Sequence, residues 1–194
     1  MVRLRPMKDK IFEKSIDLFG ENGFSETSIQ HIVDALGVTK GTFYYYFTSK
    51  EQILMEIHLR FINDILAKQD AIIQDPNRNY QEKIYEIICM LMKNIEAQGK
   101  SAKIFFREMQ NLSDGHLSQI FEKRDEFRIK FQELIELGME KGEFRKDLDS
   151  HIVALGILGM VNWSYHWFDP DGPLSDTTVS KIYIDLVLNG IKAE

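Results

Sequence analysis

The sequence predicts an all-α protein, and three features of the chain support this fold class. Apolar residues recur at intervals of three or four, as at Phe12, Ile16 and Phe19, which is the period of an amphipathic helix. No segment of useful length alternates apolar and polar residues with the two-residue period of a strand. Residues that end helices, such as Gly23 and Pro76, separate the successive helical stretches.

The first fifty residues predict three short helices and the start of a fourth. Thr27, with Gln30 three residues later, forms a capping-box pattern at the start of the second helix, and Gly37 ends that helix. Thr39 caps the third helix, and a hydroxyl residue at position 48 or 49 caps the fourth. Longer helices follow, and they are predicted around residues 84–95, 101–110, 121–141, 149–168 and 175–191.

The composition excludes several classes of protein. Cys89 is the only cysteine in the chain, which rules out an internal disulfide and a cysteine-rich zinc module and fits a reducing compartment. The longest mostly apolar run, residues 152–163, is much shorter than the ~20 residues of a transmembrane helix. The first ten residues lack the apolar segment of a secretory signal. We therefore expect a cytoplasmic protein that does not enter a membrane.

The motifs of the common enzyme classes do not occur in the sequence. It contains no glycine-rich phosphate-binding loop, no H-E-x-x-H zinc motif and no G-x-S-x-G nucleophile motif. The five histidines lie far apart, and Cys89 lies between Ile88 and Met90, as a small buried residue would. We therefore expect a protein that is not an enzyme and that holds no metal and no cofactor.

The segment from Thr27 to Glu51 carries the most informative pattern. Two short helices joined by a tight turn at Leu36–Val38 predict a helix-turn-helix, whose second helix would enter a major groove with its N terminus first. An ordinary helical hairpin with a solvated outer face is the alternative. The aromatic run Tyr44–Phe47 argues against that alternative, because at ~100° per residue its side chains cannot all be buried. Some tyrosines must be exposed, as on a binding surface.

The distribution of charge permits nucleic-acid binding in spite of a net charge of −6. No acidic residue lies between Asp34 and Glu51, whereas Lys40 and Lys50 do. A locally non-acidic surface can approach a phosphate backbone even on an acidic protein. A chance distribution would look the same, so charge alone does not decide the function.

The first part of the chain resembles the DNA-binding domain of the tetracycline-repressor (TetR) family of bacterial transcriptional regulators. The resemblance covers residues 8–54 and rests on Phe19, E-N-G-F at 21–24, Thr27, Ile32 and, above all, G-V-T-K-G-T-F-Y-Y-Y-F-T-S-K-E at 37–51. Val33 departs from it, because the family usually has alanine there. The resemblance implies a homodimer that binds a double-stranded DNA operator. It divides the chain into a helix-turn-helix domain, residues 1–50, and a larger helical ligand-binding and dimerisation domain, residues 51–194.

The resemblance also implies which residues meet DNA. Thr27, Tyr44 and Lys50 would contact phosphates. The residues that would face bases or the nearest backbone are Thr39, Lys40, Gly41, Thr42, Tyr45 and Tyr46. Arg3 and Arg5 either reach into a minor groove as a tail or belong to a disordered terminus.

The second part of the chain shows a weaker resemblance to the fatty-acid-degradation branch of the family. F-F-R-E-M-Q-N-L at 105–112 and G-M-E-K-G-E-F at 138–144 carry it, and it implies a lipophilic inducer such as a long-chain acyl-CoA. The residues expected to line the ligand site are Phe105, Phe106, Arg107, Met109, Phe131, Met139, Met160 and Trp163. The alternatives are that these residues fill the core, that the chain is a multidrug-responsive repressor with a promiscuous aromatic pocket, or that it is an interaction module without an inducer.

The helices at 149–168 and 175–191 are expected to pair with their symmetry mates as a four-helix bundle. Trp163 and Trp167 would pack in that interface or in the core, or would line a pocket, and we favour the interface or the core. The sequence thus predicts a dimeric, ligand-responsive repressor. It leaves open the identity of the inducer, the operator, the regulated genes and the sign of regulation.

Overall fold

The computed structural model of the protein describes residues 6–191, so the predictions for Arg3 and Arg5 lie outside the described residues. Within that range the chain forms α-helices and one short 3-10 helix and contains no strand, which confirms the all-α prediction. The helices are α1 (Met7–Asn22), α2 (Ile29–Leu36), α3 (Lys40–Tyr46), α4 (Lys50–Ile73), α5 (Tyr80–Ala97), α6 (Gly99–Arg107), α7 (Asp114–Glu140), α8 (Ser150–Trp167) and α9 (Asp176–Ile191). The 3-10 helix at Met109–Asn111 lies between α6 and α7.

The helices lie where the sequence predicted them, but several ends differ: α5 begins at Tyr80 rather than near residue 84, and α6 ends at Arg107 rather than at residue 110. Ser28, not Thr27, caps α2: its hydroxyl accepts a hydrogen bond from the backbone N–H of His31 at 3.1 Å. α7 begins at Asp114, seven residues before the predicted start at Phe121, because Ser113 precedes it and its carbonyl accepts from the N–H of Leu117 at 2.8 Å.

The chain divides into two compact units. The first comprises the described residues up to Phe61 together with Lys100–Ile120, and the second comprises Ile62–Gly99 and the described residues from Phe121 onward. The sequence-based boundary after residue 50 does not anticipate that α6 and the first residues of α7 pack with the N-terminal helices.

The first unit has an aromatic core. Phe19 and Phe43 are almost fully buried, and α2 packs against both α1 and α3. Further along, the Phe105 ring lies 4.8 Å from the Phe61 ring and 5.3 Å from His58, measured between ring centroids. His58 is completely buried, and burial lowers its pKa, so this imidazole is neutral at pH 7.

The second unit is built around α5, which packs against α8 and α9. Gln69, on α4, is fully buried, and its amide Nε2 donates to the carbonyl of Phe127 on α7 at 3.0 Å. Near the end of α7, Gly138 lies directly beneath the Phe144 ring. These contacts make α7 an integral wall of the unit.

Candidate functional site

The outer face of α3 is the most exposed aromatic surface of the first unit. Tyr45 is 81% exposed and Tyr44 is 55% exposed, whereas Phe43 and Phe47 are buried. This confirms the inference that the aromatic run cannot be buried as a whole. Thr39 caps the helix, as predicted, by accepting from the N–H of Thr42 at 3.2 Å.

The N-terminal end of α3 is exposed to solvent. Thr39, Lys40 and Gly41 are exposed, while Thr42 and Tyr46 are partly buried. Among the described side chains, the Thr39 hydroxyl alone lies within 4 Å of a Cβ built on Gly41, so a second molecule can approach the Gly41 backbone. The geometry therefore presents a helix N terminus with small or polar side chains, which suits a phosphate or a base edge.

A groove of about 450 Å³ runs beside α3 and joins the N termini of α2 and α4. It brings together four of the predicted contact residues, namely Thr27, Lys40, Tyr44 and Lys50. The remaining lining residues, which sequence reasoning missed, are Ser25, Ser28, Ile29, Gln30, Thr48 and Ser49. Hydroxyl residues at helix starts were the signal that could have found several of them, because such residues can contact an anion as well as cap a helix.

Thr27 does not present its hydroxyl to this groove. Its side chain is fully buried, and its Oγ1 donates to the backbone carbonyl of Gly23 at 2.8 Å. Thr27 therefore fixes the turn before α2, and Ser28 takes the capping position that the sequence suggested for Thr27.

Lys50 also has partners that the sequence did not reveal. Its Nζ donates to the carbonyls of Phe24 at 2.8 Å, Thr27 at 3.0 Å and Ser25 at 3.4 Å. The ammonium lies 4.3 Å from the centroid of the Phe24 ring. A lysine ammonium has three donors, so all of them are directed to the loop between α1 and α2. This differs from the phosphate contact that the family resemblance implies for Lys50.

We expect Lys50→Met to destabilise the first unit by about 1–3 kcal/mol, since it removes a charged donor from three carbonyls. Operator affinity should fall, because the N terminus of α2 is displaced when the Lys50 contacts are lost. The slope of log Kd against log salt should stay the same, because no phosphate contact is removed. Lys40→Met is the matched control: it should leave stability within about 0.5 kcal/mol and reduce the slope by about 0.9. Normal stability combined with a slope reduced by about 0.9 for Lys50→Met would instead establish a phosphate contact.

The residues predicted to line a ligand cavity are divided between the two units. The first unit holds Phe105, Phe106, Arg107 and Met109, and the second holds Phe131, Met139, Met160 and Trp163. Phe105 and Phe131 are buried core residues, whereas Met139 and Met160 are partly exposed. Trp163 is 64% exposed on α8, so the structure places it on the surface.

The described part of the chain lacks two other classes of site. None of its helices combines the length and the apolar character that a bilayer crossing requires. Its His, Cys, Asp and Glu side chains nowhere gather in a group of three or more that could hold a metal ion.

Two family models match the chain. "Bacterial regulatory proteins, tetR family" covers residues 11–57, the helix-turn-helix region, and "Tetracyclin repressor-like, C-terminal domain" covers residues 77–191. The chain belongs to the TetR family. It is therefore a TetR-family transcriptional regulator with a helix-turn-helix DNA-binding domain, as the sequence predicted.

Individual members of the TetR family match over nearly the whole chain. The HTH-type transcriptional repressor KstR2 of Mycobacterium tuberculosis is 29% identical over 188 residues, which are 96% of this chain and 94% of the relative. The solved structure of that ketosteroid regulator matches with a TM-score of 0.88 at 28% identity, over 99% of this chain and 98% of the other. The fatty acid metabolism regulator protein of Bacillus subtilis is 21% identical over 192 residues, 98% of each chain.

A further solved structure with the same fold is that of AibR in complex with isovaleryl coenzyme A and operator DNA. It matches with a TM-score of 0.83 at 24% identity, over 93% of this chain and 97% of the other. KstR2 and the Bacillus subtilis protein are named as regulators, which is consistent with the expectation that the chain is not an enzyme.

Proposed function

We propose that the protein is a ligand-responsive repressor that binds a pseudo-palindromic operator as a homodimer and is released by a lipophilic inducer, of which a long-chain acyl-CoA is our candidate. The observation that carries the proposal is the exposed N-terminal end of α3 with its adjoining groove, Lys40 and tyrosines. On this proposal Thr39, Lys40, Gly41, Thr42, Tyr45 and Tyr46 approach bases or the nearest backbone, and Tyr44 lies against a phosphate.

The homodimer is supported by an uncovered apolar face on α8 and α9. On α9, Leu186 is 62% exposed and Ile182 is 50% exposed. On α8, Ile152 and Trp163 are exposed to a similar degree, and no described atom lies within 4 Å of a Cβ built on Gly159. Large apolar side chains left exposed on two helices of one unit are typical of a protein interface. Two recognition helices must also reach successive major grooves, ~34–36 Å apart, which one subunit cannot do.

The inducer class is supported by the relatives and by the apolar residues of the second unit. KstR2 is named for ketosteroids, another relative is named for fatty acid metabolism, and AibR shows that the fold can accommodate a CoA thioester. We assign the acyl chain to Met139 and Met160 together with Phe131. Methionine side chains adapt to irregular apolar ligands.

We expect acyl-CoAs to release the protein from its operator with a potency that rises with chain length. Each buried methylene contributes about 0.8 kcal/mol, so the half-releasing concentration should fall roughly fourfold per methylene until the site is full. Fluorescence anisotropy of a labelled operator, titrated with acyl-CoAs of increasing length, measures this. Coenzyme A without an acyl chain is the control.

Release that is absent or independent of chain length would rule out the acyl-CoA. A lipophilic cationic dye in the same assay tests the alternative of a multidrug-responsive repressor. If neither ligand class acts, the chain is better described as a DNA-binding module without an inducer.

A further inference from the structure

A polar pocket of about 230 Å³ lies in the first unit, between the end of α1 and one face of α6. Residues 19–23 form one wall, and Lys103, Ile104, Arg107 and Glu108 form the other. This pocket is distinct from the groove beside α3, with which it shares no lining residue.

Lys103 and Arg107 bring to this pocket two positive charges that have no direct ion-pair partner among the described residues. They stand four residues apart on α6, so they lie on the same face of the helix. Both side chains are exposed, and neither makes a hydrogen bond or an ion pair with another described side chain. The pocket thus combines an arginine fork with a lysine point charge.

The two carboxylates of the pocket already accept hydrogen bonds from other residues. Glu21 accepts from Lys100 Nζ at 3.0 Å, and Glu108 accepts from the Asn111 amide at 2.8 Å. Lys100 compensates the charge of Glu21, whereas Glu108 keeps its negative charge because the Asn111 amide is neutral. Neither carboxylate contacts Lys103 or Arg107 directly, so the two cations remain available to an anion.

The walls of the pocket are held at a fixed separation. Lys100 bridges α6 to α1 by donating to Asp17 at 2.6 Å as well as to Glu21. Its ammonium lowers the pKa of Asp17, and the two carboxylates raise the pKa of Lys100. Gly20 allows the close approach, because a Cβ at that position would lie 3.3 Å from the Lys100 side chain. The pocket therefore exists without a ligand to form it.

We propose that this pocket binds a phosphoryl group, with Arg107 as a bidentate partner and Lys103 as the second cation. A phosphoryl dianion matches two positive charges and offers the spread of oxygens that an arginine fork and a lysine can share. A single carboxylate would satisfy only one of them. The proposal rests on the first unit alone and does not depend on the acyl-CoA inducer.

The pocket is connected to the DNA-binding helices through α1. Its α1 wall belongs to the helix that packs against α2 of the helix-turn-helix. A bound phosphoryl group would hold α6 to the end of α1 and would place its negative charge beside Glu21 and Glu108. Occupancy should therefore change the operator affinity as well as the stability of the unit.

Isothermal titration calorimetry of the full-length protein at low salt tests the proposal. The probes are inorganic phosphate, adenosine 3′,5′-bisphosphate, coenzyme A and 3′-dephospho-coenzyme A. We expect wild-type protein to bind the bisphosphate, and the double variant Lys103→Gln/Arg107→Gln to bind it at least about tenfold more weakly, as for the loss of a charge-assisted contact.

The control is Lys93→Gln/Lys146→Gln, which removes the same charge from exposed positions of the second unit. It should bind as the wild type does, and unchanged circular dichroism should show that both double variants are folded. Binding of coenzyme A but not of its dephospho form would identify the 3′-phosphate as the source, whereas equal binding of all probes would indicate a general phosphoryl site, and either result supports the proposal.

Absence of binding by every probe to the wild type would overturn the proposal, as would equal binding by wild type and the Lys103/Arg107 variant. Neither result bears on acyl-CoA release, which the operator assay measures separately with the acyl chain as its variable.

Discussion

Leu186→Glu should convert the protein into a monomer of ~23 kDa and abolish tight operator binding. Leu186 is 62% exposed on α9 within the proposed dimer face, and burying an unpaired carboxylate there would cost more than the interface gains. Because a dimer gains affinity by binding two half-sites at once, we expect the loss to be roughly 100- to 10,000-fold. Sedimentation velocity at micromolar protein, together with operator titration, measures both effects.

Ile129→Glu is the matched control for this substitution. Ile129 is 44% exposed, but it lies on α7 rather than on α8 or α9. It should leave the mass and the operator affinity unchanged. If Leu186→Glu still sediments as a dimer with wild-type affinity, the subunits associate through another surface.

Gly138→Ala should destabilise the second unit by about 3 kcal/mol, at the upper end of the cost of overpacking. A Cβ at this position would overlap the Phe144 ring and would lie 3.1 Å from Cβ of Tyr80, so neither neighbour can accept it without moving. For a chain of this size the melting temperature should fall by roughly 6–12 °C. Thermal unfolding followed by circular dichroism measures the change.

Gly115→Ala, in the same helix, is the comparison for this prediction. No described atom lies within 4 Å of a Cβ at Gly115, so alanine should be neutral or slightly stabilising there. Adding Phe144→Leu to Gly138→Ala should recover part of the lost stability, because the smaller side chain makes room for the methyl group. A melting temperature for Gly138→Ala within about 2 °C of the wild type would show that the ring moves away freely.

The features that were predictable from sequence are those encoded within a few residues. The turn at Gly37 has φ of +65°, and the cap at Thr39 and the outward tyrosines follow from local patterns. The choice between Thr27 and Ser28 as the α2 cap was not predictable, because adjacent hydroxyl residues are both good caps. Burial of Thr27 by tertiary packing decides it.

Contacts between distant positions could not be read from the pattern. The carbonyl partners of Lys50 lie 23 to 26 residues earlier in the chain, and nothing in the local sequence marks them. Phe105 shows why the ligand site could not be predicted from sequence. A phenylalanine at helical spacing gives the same sequence pattern whether it fills a core or lines a cavity. Its burial against the rings of Phe61 and His58 shows that it is a core residue.

The cap of α2 has a consequence for the choice of residue at position 31. Ser28 and His31 complete a capping box in which the imidazole Nδ1 accepts from the Ser28 N–H at 3.3 Å. That position usually holds glutamate or glutamine. A glutamate would place a full negative charge at a helix end that faces the groove proposed for the DNA backbone, where it would repel each phosphate that approached. The imidazole Nδ1 accepts the same hydrogen bond without a carboxylate charge, so the first backbone N–H groups of α2 are capped and the helix N terminus still favours a polyanion.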